Sequence, residues 1–259
     1  MSASWWLSYG AGVNSTALLI MLVEGKLPQY DPWRVVFADT GNEKDETYSY
    51  IERTVKQYLR AHGYMLEIVR PPETVLERWQ RYHLVGSRVI RGCTEHAKIR
   101  PIEALLKAEG CLGQLLGIDA GEAHRAKSHP KDKWPKAYPL IDMDLDRDDC
   151  KEIIRAAGLC IPVKSGCWHC PFMRVGEVLA LARERPDRMK QIEDLEADSI
   201  AAYPVTGDGV RAQWHQKPTT YWRARANGEI AQGMLFEMPA DIPCGCYDGG
   251  GSHEGVWRG

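Results

Sequence analysis

The 259-residue sequence lacks a strong excess of either charge, and it lacks a long apolar run. Its 33 basic and 35 acidic side chains give a net charge of −2, so bulk electrostatic binding of nucleic acid is not indicated, although a local basic face is left open. No stretch is apolar enough to predict a membrane span, and residues 1–4 lack the basic start of a signal peptide. We therefore expect a cytoplasmic protein that does not associate with membranes.

The glycine-containing stretch Ser8–Thr16 lacks the features of two common nucleotide-binding motifs. No Gly-Lys-Ser/Thr follows its glycines, which excludes a Walker loop, and the third glycine of a dinucleotide-binding fingerprint is missing. It lies between an apolar run, residues 5–7, and residues 17–23, which are apolar on all sides and predict a buried helix. A strand, a glycine turn and a helix start together form an anion site, because backbone N–H groups and the helix N-terminus both attract oxyanions. A tight turn without a ligand is the alternative.

Strands and helices alternate along the chain up to residue 157. Apolar patterns predict strands at 33–38, 65–69, 111–118 and 138–141. They predict helices at about 46–61 and at 146–157, and a further helix that ends near residue 110. This alternation predicts an α/β fold with a doubly wound parallel sheet. Helical stretches at about 176–185 and 186–197 follow, and aromatic and basic side chains then interleave between Trp214 and Arg225. That last region suits base stacking with phosphate contacts, but packing as a C-terminal appendage is favoured.

Eight cysteines in a reducing compartment suggest metal binding or catalysis before disulfides. Cys167 and Cys170 are spaced as a metal half-site in a turn bounded by glycine and proline. A redox dithiol is the main rival, but such a pair normally opens a helix after the first strand, whereas this one comes late in the chain. Cys111, in an apolar strand, and Cys150, on the apolar face of a helix, are predicted to be core residues.

The segment Gly10–Ser15 resembles the pyrophosphate loop, Ser-Gly-Gly-x-Asp-Ser, of the PP-loop ATP pyrophosphatases, with Asn14 in place of the aspartate. That superfamily includes phosphoadenylylsulfate (PAPS) reductases, tRNA thiolases and DNA phosphorothioation enzymes. Further segments are similar to its PAPS-reductase-like members of the bacterial and phage type. The matching positions are Asp39, Thr40, Gly41 and Thr47; Cys93, Lys98 and Pro101; Gly117, Ile118, Glu122 and Arg125; and Ser165–Phe172.

The resemblance implies a Rossmann-like sheet with an adenine nucleotide, ATP with Mg²⁺, at the carboxyl ends of its strands. We accordingly divide the chain into a nucleotide-binding domain, 1–172, and a small helical and irregular cysteine-containing C-terminal appendage, 173–259. The predicted nucleotide-binding residues are Ser8, Gly10, Gly12, Asn14, Ser15, Thr16, Asp39, Thr40, Gly117 and Ile118. The predicted catalytic residues are Asn14, Asp39, Lys98, Glu122 and Arg125. Lys98 is a candidate for holding anionic groups. Arg125 is a candidate for meeting phosphate or sulfate, positioned by Glu122, and the alternative is that these two side chains simply pair.

The predicted metal ligands are Cys93, Cys167, Cys170 and Cys244, with Cys246 or Cys160 as the alternative fourth ligand. Cys93 matches the active-site cysteine of the family. Cys244 and Cys246 lie in a glycine-rich tail with few apolar residues, and metal binding would give that tail a reason to be ordered. For Cys160, packing beside a helix end is a sufficient explanation. Thiolate ligands suit either zinc or a [4Fe–4S] cluster, and a place beside a nucleotide in a sulfur-chemistry family favours the cluster.

Three functions are compatible with these residues. In the favoured one, ATP adenylates an oxygen of an acceptor, pyrophosphate leaves, and sulfur displaces AMP; a nucleic acid or nucleobase is the expected acceptor. A sulfonucleotide reductase is second, because residues 243–247 lack the histidine of the reductase tail Glu-Cys-Gly-x-His and Cys93 has no adjacent cysteine. The third is a zinc-stabilised nucleotide-binding module without turnover. A homodimer is also left open.

Overall fold

The computed structural model describes residues 3–86, 92–127, 132–203, 214–215 and 217–229. Within these ranges one sheet contains the strands β1 Ser4–Tyr9, β2 Trp33–Ala38, β3 Leu66–Val69, β4 Cys111–Leu116 and β5 Lys136–Ala137. Their order is β3-β2-β1-β4-β5, and each neighbouring pair is parallel. The strands therefore share one carboxyl edge, and the strand order reverses between β1 and β4, which is where open α/β sheets bind ligands. The predicted Rossmann-like α/β fold is confirmed.

Helices connect the strands and extend beyond the sheet. The described α-helices are α1 Val13–Val23, α2 Asp45–Tyr50, α3 Lys56–Ala61, α4 Val75–Arg81, α5 Gly92–Thr94, α6 Arg100–Glu109, α7 Pro139–Asp142, α8 Arg147–Ala156, α9 Val175–Glu184, α10 Pro186–Ala202 and α11 Thr219–Ala226. Short π-helical segments, Ile51–Val55 and Glu95–Ile99, join α2 to α3 and α5 to α6. In the part of the chain that the structure describes, no helix has the length and apolarity needed to cross a membrane.

The strand predicted at residues 138–141 is wrong. β5 ends at Ala137, and α7 begins at Pro139. Proline is favoured at the start of a helix because its missing N–H group would have no helical partner there, and its fixed φ angle suits the first turn. The apolar side chain of Leu140, which suggested a strand, is fully buried in the main core from this short helix instead.

The main core lies between the sheet, α1 and α8. α1 is buried from Val13 to Leu22, as its apolar sequence predicts. α8 packs against α1, and its amphipathic pattern places Cys150 and Ile154 in this core. The Asp146 side chain accepts hydrogen bonds from two backbone N–H groups at the start of α8, which satisfies donors that have no helical partner. The prediction that Cys150 is a core residue is confirmed.

A second core joins the C-terminal helices to α4. Trp168, Trp214 and Trp222 are buried in it, together with Trp79 of α4. The buried carboxylate of Glu196 accepts hydrogen bonds from the backbone N–H groups of Trp214 and Thr219, both at 2.8 Å. This carboxylate ties α10 to the start of α11. Because their rings are fully buried, Trp214 and Trp222 cannot stack on bases in this arrangement.

Candidate functional site

The pyrophosphate loop, residues 8–16, connects β1 to α1 at the carboxyl edge of the sheet. Ala11 adopts a left-handed conformation with φ 55°, and Gly12 is the N-cap of α1. The backbone N–H groups of Gly10 and Gly12 both donate to Ser15 Oγ at 3.3 Å. The loop is therefore folded around a hydroxyl group. A stronger oxyanion acceptor can take the place of that hydroxyl, because hydrogen bonds to ionised acceptors are stronger than those to neutral ones.

Two oxygen atoms of the pyrophosphate loop are buried without a hydrogen-bond partner among the described residues. They are Ser8 Oγ and Asn14 Oδ1. Such atoms are costly to bury and need an explanation, and a bound ligand would supply one. Thr16, by contrast, is already engaged within the protein, since its hydroxyl lies 3.0 Å from the hydroxyl of Tyr9. Of the predicted nucleotide-binding side chains, Ser8 and Asn14 thus retain unused hydrogen-bonding capacity.

The end of β4 packs directly against the pyrophosphate loop. A Cβ atom on Gly117 would lie 2.7 Å from the backbone N and Cα atoms of Ser15, so only glycine fits at this position. Gly117 packs next to the loop and Ile118 is buried; their predicted role in nucleotide binding stays a prediction. This approach brings the neighbouring Asp119 to Asn14, whose Nδ2 atom donates to Asp119 Oδ2 at 2.8 Å. Asp119 was not predicted from the sequence, although its position immediately after the matched Gly-Ile pair was an available signal.

A second turn, residues 39–44, follows β2 and is organised by Asp39. The Asp39 carboxylate accepts hydrogen bonds from the Gly41 N–H at 2.9 Å, the Tyr48 hydroxyl at 2.7 Å and Arg70 Nε at 2.9 Å. Burial opposes its ionisation, but these hydrogen bonds outweigh burial and lower the pKa of Asp39. In the structure the Asp39 carboxylate therefore holds the turn together, and its predicted catalytic role stays a prediction.

The cysteine turn, residues 164–172, pairs with this second turn through the backbone. Lys44 N donates to the Gly166 carbonyl and Trp168 N donates to the Asn42 carbonyl, both at 3.0 Å. Thr40 Oγ1 lies 3.2 Å from Cys167 Sγ. On its other side the cysteine turn faces the pyrophosphate loop, because Ser165 Oγ would be 3.6 Å from a Cβ atom on Gly12. The structure thus brings three of the predicted segments together at the carboxyl edge.

Lys98 is partly buried beside the cysteines and paired with a carboxylate. Its Nζ atom lies 3.3 Å from Glu43 Oε1. Burial alone would lower the pKa of Lys98, but Glu43 and the nearby thiols of Cys167 and Cys93 raise it. Burial also raises the pKa of the Cys167 thiol, and that of Cys170 to about 11. In the structure Lys98 pairs with Glu43, and its predicted role of holding anionic groups of a ligand stays a prediction.

The thiol groups of the predicted metal site are only partly brought together. Cys93 and Cys170 pack in the same cluster of side chains. No group of three or more histidine, cysteine, aspartate or glutamate side chains in the described ranges is arranged to hold a metal ion. Cys244 and Cys246 lie outside the described residues. Cys160 is exposed, so packing does not account for it; its carbonyl oxygen accepts a hydrogen bond from the Tyr50 hydroxyl.

Two charged clusters complete the neighbourhood. Glu122 and Arg125 form an ion pair with each other, which is the alternative that their spacing had left open. Burial raises the pKa of Glu122 although Arg125 opposes this shift. Lys44 of the second turn and Lys164 of the cysteine turn both contact Glu177, in a pocket that Cys167 and Cys170 also line. The sequence analysis missed this second cluster, because its members are far apart in the chain.

Comparisons with known proteins identify the family of the chain. Residues 4–156 match the family model of the phosphoadenosine phosphosulfate reductase domain. Among solved structures, the chain is similar to a phosphoadenylyl-sulfate (PAPS) reductase from Candida auris in a phosphate complex, with 17% identity, a TM-score of 0.48, and coverage of 65% of this chain and 83% of that chain. It is also similar to the U34-tRNA thiolase NcsA from Methanococcus maripaludis with its [4Fe-4S] cluster, with 13% identity, a TM-score of 0.44, and coverage of 91% of this chain and 83% of that chain. A search of curated proteins gives no match. Since the family model covers more than half of the 259 residues, the chain belongs to the phosphoadenosine phosphosulfate reductase domain family.

Proposed function

We propose that this protein is a PP-loop enzyme that binds ATP, releases pyrophosphate and adenylates an acceptor oxygen, which sulfur then replaces. The observation that carries the proposal is the contact between the cysteine turn and the pyrophosphate loop. Ser165 Oγ would lie 3.6 Å from a Cβ atom on Gly12, and Cys167 follows two residues later in the same turn. A sulfur-bearing segment next to a phosphate site suits a reaction that activates an oxygen with ATP and then replaces it with sulfur.

The pyrophosphate loop offers the groups that a polyphosphate needs. The N–H groups of Gly10 and Gly12 point at one acceptor, Ser15 Oγ, and phosphate oxygens would be stronger acceptors at the same place. The positive end of the α1 dipole also points at this place, and α1 itself has no acidic residue in its first turn. In the proposed reaction the acceptor oxygen bonds to the α-phosphorus atom. The bond from that phosphorus to the bridging oxygen breaks, and pyrophosphate leaves with the electron pair.

The cysteines would hold the cofactor of this proposal. Thiol groups are the right donors for a [4Fe–4S] cluster or for zinc. Cys170 lies within electrostatic range of both Cys167 and Cys93. The described residues do not complete a site by themselves, so a ligand such as Cys244, from the tail, belongs to the proposal. When bound, a cluster would supply a place to bind the sulfur that is transferred.

The proposed acceptor is a base oxygen of a nucleic acid or of a free nucleobase. Such an oxygen can be adenylated and then leave with AMP when sulfur attacks the carbon that carries it. With a net charge of −2, binding of a nucleic acid must come from local contacts, and the buried Trp214 and Trp222 are not available for it. Other side chains around the carboxyl edge would have to make those contacts.

The test is to identify the products of ATP. Anaerobically purified protein is incubated with ATP, Mg²⁺, sulfide and candidate tRNA or nucleobases, and the nucleotides are separated by chromatography. We expect AMP and pyrophosphate, whereas ADP as the main product would exclude this chemistry. Cys167→Ser should still release pyrophosphate but transfer no sulfur. Cys111→Ser is the matched control, since Cys111 lies on β4 away from the cysteine turn. Sulfite release from PAPS would instead identify a reductase, and nucleotide binding without any product a binding module.

A further inference from the structure

The carboxylate of Asp119 is buried without a cationic partner in the described ranges. The residue is 2% exposed. It accepts hydrogen bonds from Asn14 Nδ2 at 2.8 Å and from the Glu122 N–H at 2.9 Å. The arginine nearest to it in sequence, Arg125, pairs with Glu122 instead. Buried charges in proteins are normally paired or coordinate a metal ion, so this carboxylate lacks the partner that its burial requires.

The amide of Asn14 presents an unused oxygen next to this carboxylate. A carboxylate only accepts hydrogen bonds, so the NH₂ group of Asn14 must face Asp119 and Oδ1 must lie on the other side. Asn14 is 8% exposed, and its Oδ1 atom is buried with no partner among the described residues. An amide oxygen beside a carboxylate is the kind of oxygen pair that Mg²⁺ accepts, together with phosphate oxygens and water.

The presence of Asn14 and the burial of Asp119 have one electrostatic explanation. An aspartate at position 14, as in the loop pattern that this segment resembles, would place two carboxylates in contact, since the Asn14–Asp119 distance is 2.8 Å. Two carboxylates that share a site do not both ionise readily without a cation between them. One carboxylate and one amide carry half that negative charge and can hydrogen-bond to each other while no cation is bound.

We infer that Asp119 and Asn14 Oδ1 form the divalent-cation site of the pyrophosphate loop, with Asp119 supplying the negative charge that position 14 lacks. This inference rests on the proposed function, because the cation is the Mg²⁺ ion that accompanies ATP. Gly117 makes the site feasible, since the absence of a Cβ atom there lets the end of β4 reach the loop backbone. The role of Asp119 is to hold the cation beside the phosphates while pyrophosphate leaves.

The test measures ATP affinity by calorimetry in excess Mg²⁺ and again in EDTA. We expect Mg²⁺ to tighten ATP binding to the wild-type protein. In Asp119→Asn the amide can still accept from the Glu122 N–H and donate to a flipped Asn14, so the fold is kept while the charge is lost. The factor by which Mg²⁺ increases ATP affinity should therefore fall by about tenfold or more in this variant. ATP binding in EDTA should be unchanged or tighter, because one negative charge fewer faces the polyphosphate.

An exchange variant separates charge from hydrogen bonding. Asn14→Asp/Asp119→Asn keeps one amide and one carboxylate, and it should recover the tightening by Mg²⁺. Glu109→Gln is the control for the loss of a carboxylate, because Glu109 pairs with Arg34 and lies just before the start of β4, at the edge of the sheet opposite the loop; it should behave as wild type.

Three results would overturn the inference. One is an unchanged Mg²⁺ effect in a folded Asp119→Asn, and another is no recovery in the exchange variant. If Asp119→Asn does not fold, as judged by thermal melting, the exchange variant decides alone. The third is a wild-type protein that binds no ATP in either condition, and this result alone would also remove the proposed function.

Discussion

Replacing Gly117 by alanine tests whether the pyrophosphate loop is held in place by the end of β4. The added Cβ atom would lie 2.7 Å from the N and Cα atoms of Ser15 and 3.1 Å from the carbonyl carbon of Asn14. Ordinary contacts of this kind are at 3.4–4 Å, so the loop backbone must move by roughly 1 Å. The obstacle is backbone, not a flexible side chain, and it cannot rotate away.

The expected cost follows from that displacement. Forcing an extra carbon into a packed site costs about 1–3 kcal/mol of unfolding free energy. The displaced backbone also carries the N–H groups proposed to bind phosphate, and losing one charge-assisted hydrogen bond costs about 1.5–3 kcal/mol. ATP affinity should therefore fall by about tenfold or more. Urea denaturation measures the first effect, and calorimetry with ATP and Mg²⁺ measures the second.

Gly176→Ala is the matched control for Gly117→Ala. Gly176 lies in the first turn of α9, and a Cβ atom there would meet nothing within 4 Å, so alanine should fit without strain and leave ATP affinity unchanged. If Gly117→Ala were as stable as wild type and bound ATP equally well, the contact between β4 and the loop would not constrain the loop, and the argument would fail.

Three more predictions concern the other parts of the site. Gly12→Ala should bind ATP nearly as well as wild type, since its Cβ atom would lie at an ordinary contact distance of 3.6 Å from Ser165 Oγ. The larger side chain of Gly12→Val should weaken ATP binding, as measured by calorimetry. Equal ATP affinities of the two variants would contradict the placement of the cysteine turn against the loop. Burial opposes ionisation of Glu177, but its hydrogen bonds hold its pKa at about 2 against an ordinary 4.5. The contribution of the ionised Glu177 carboxylate to the free energy of unfolding is therefore complete above pH 4.5 and is lost as pH falls towards 2. Glu177→Gln should make the unfolding free energy, measured by denaturation, depend less on pH over that interval. An unchanged pH dependence would refute this prediction. Anaerobically prepared protein should contain iron and acid-labile sulfide, and the double variant Cys244→Ser/Cys246→Ser should lose both. One zinc ion in a colourless protein would exclude the cluster. Full metal content in the double variant would exclude the tail cysteines as metal ligands.

Local patterns were sufficient for the fold because the core is built from periodic segments. α1 is apolar on all sides and is buried on all sides, and the spacing of Cys150 and Ile154 places both in the core. The pattern failed at residues 138–141, where a short apolar run fits either a strand or a helix and Pro139 decides for the helix. Apolarity alone could not distinguish the two conformations over four residues.

The partners of the polar site residues could not be predicted in the same way. Lys98 and Glu43 pair only because the π-helical segment Glu95–Ile99 and the second turn meet beside the cysteines. No periodic pattern in the sequence predicts such a contact. The Asn14–Asp119 hydrogen bond joins residues 105 positions apart. A lysine or an aspartate at a matched position therefore indicates where a group lies, but its partner decides whether it is available to a ligand.

The charge at the pyrophosphate loop is better described for the pair of positions 14 and 119 than for position 14 alone. Asn14 by itself suggests a weakened cation site, because an amide carries no charge. The structure places a buried carboxylate 2.8 Å from that amide, so the negative charge is still present and has only moved to the end of the neighbouring strand. It can reach the loop because β1 and β4 are adjacent and Gly117 has no side chain. A change in the loop sequence therefore need not change the electrostatics of the site when the strand that packs against it supplies the missing group.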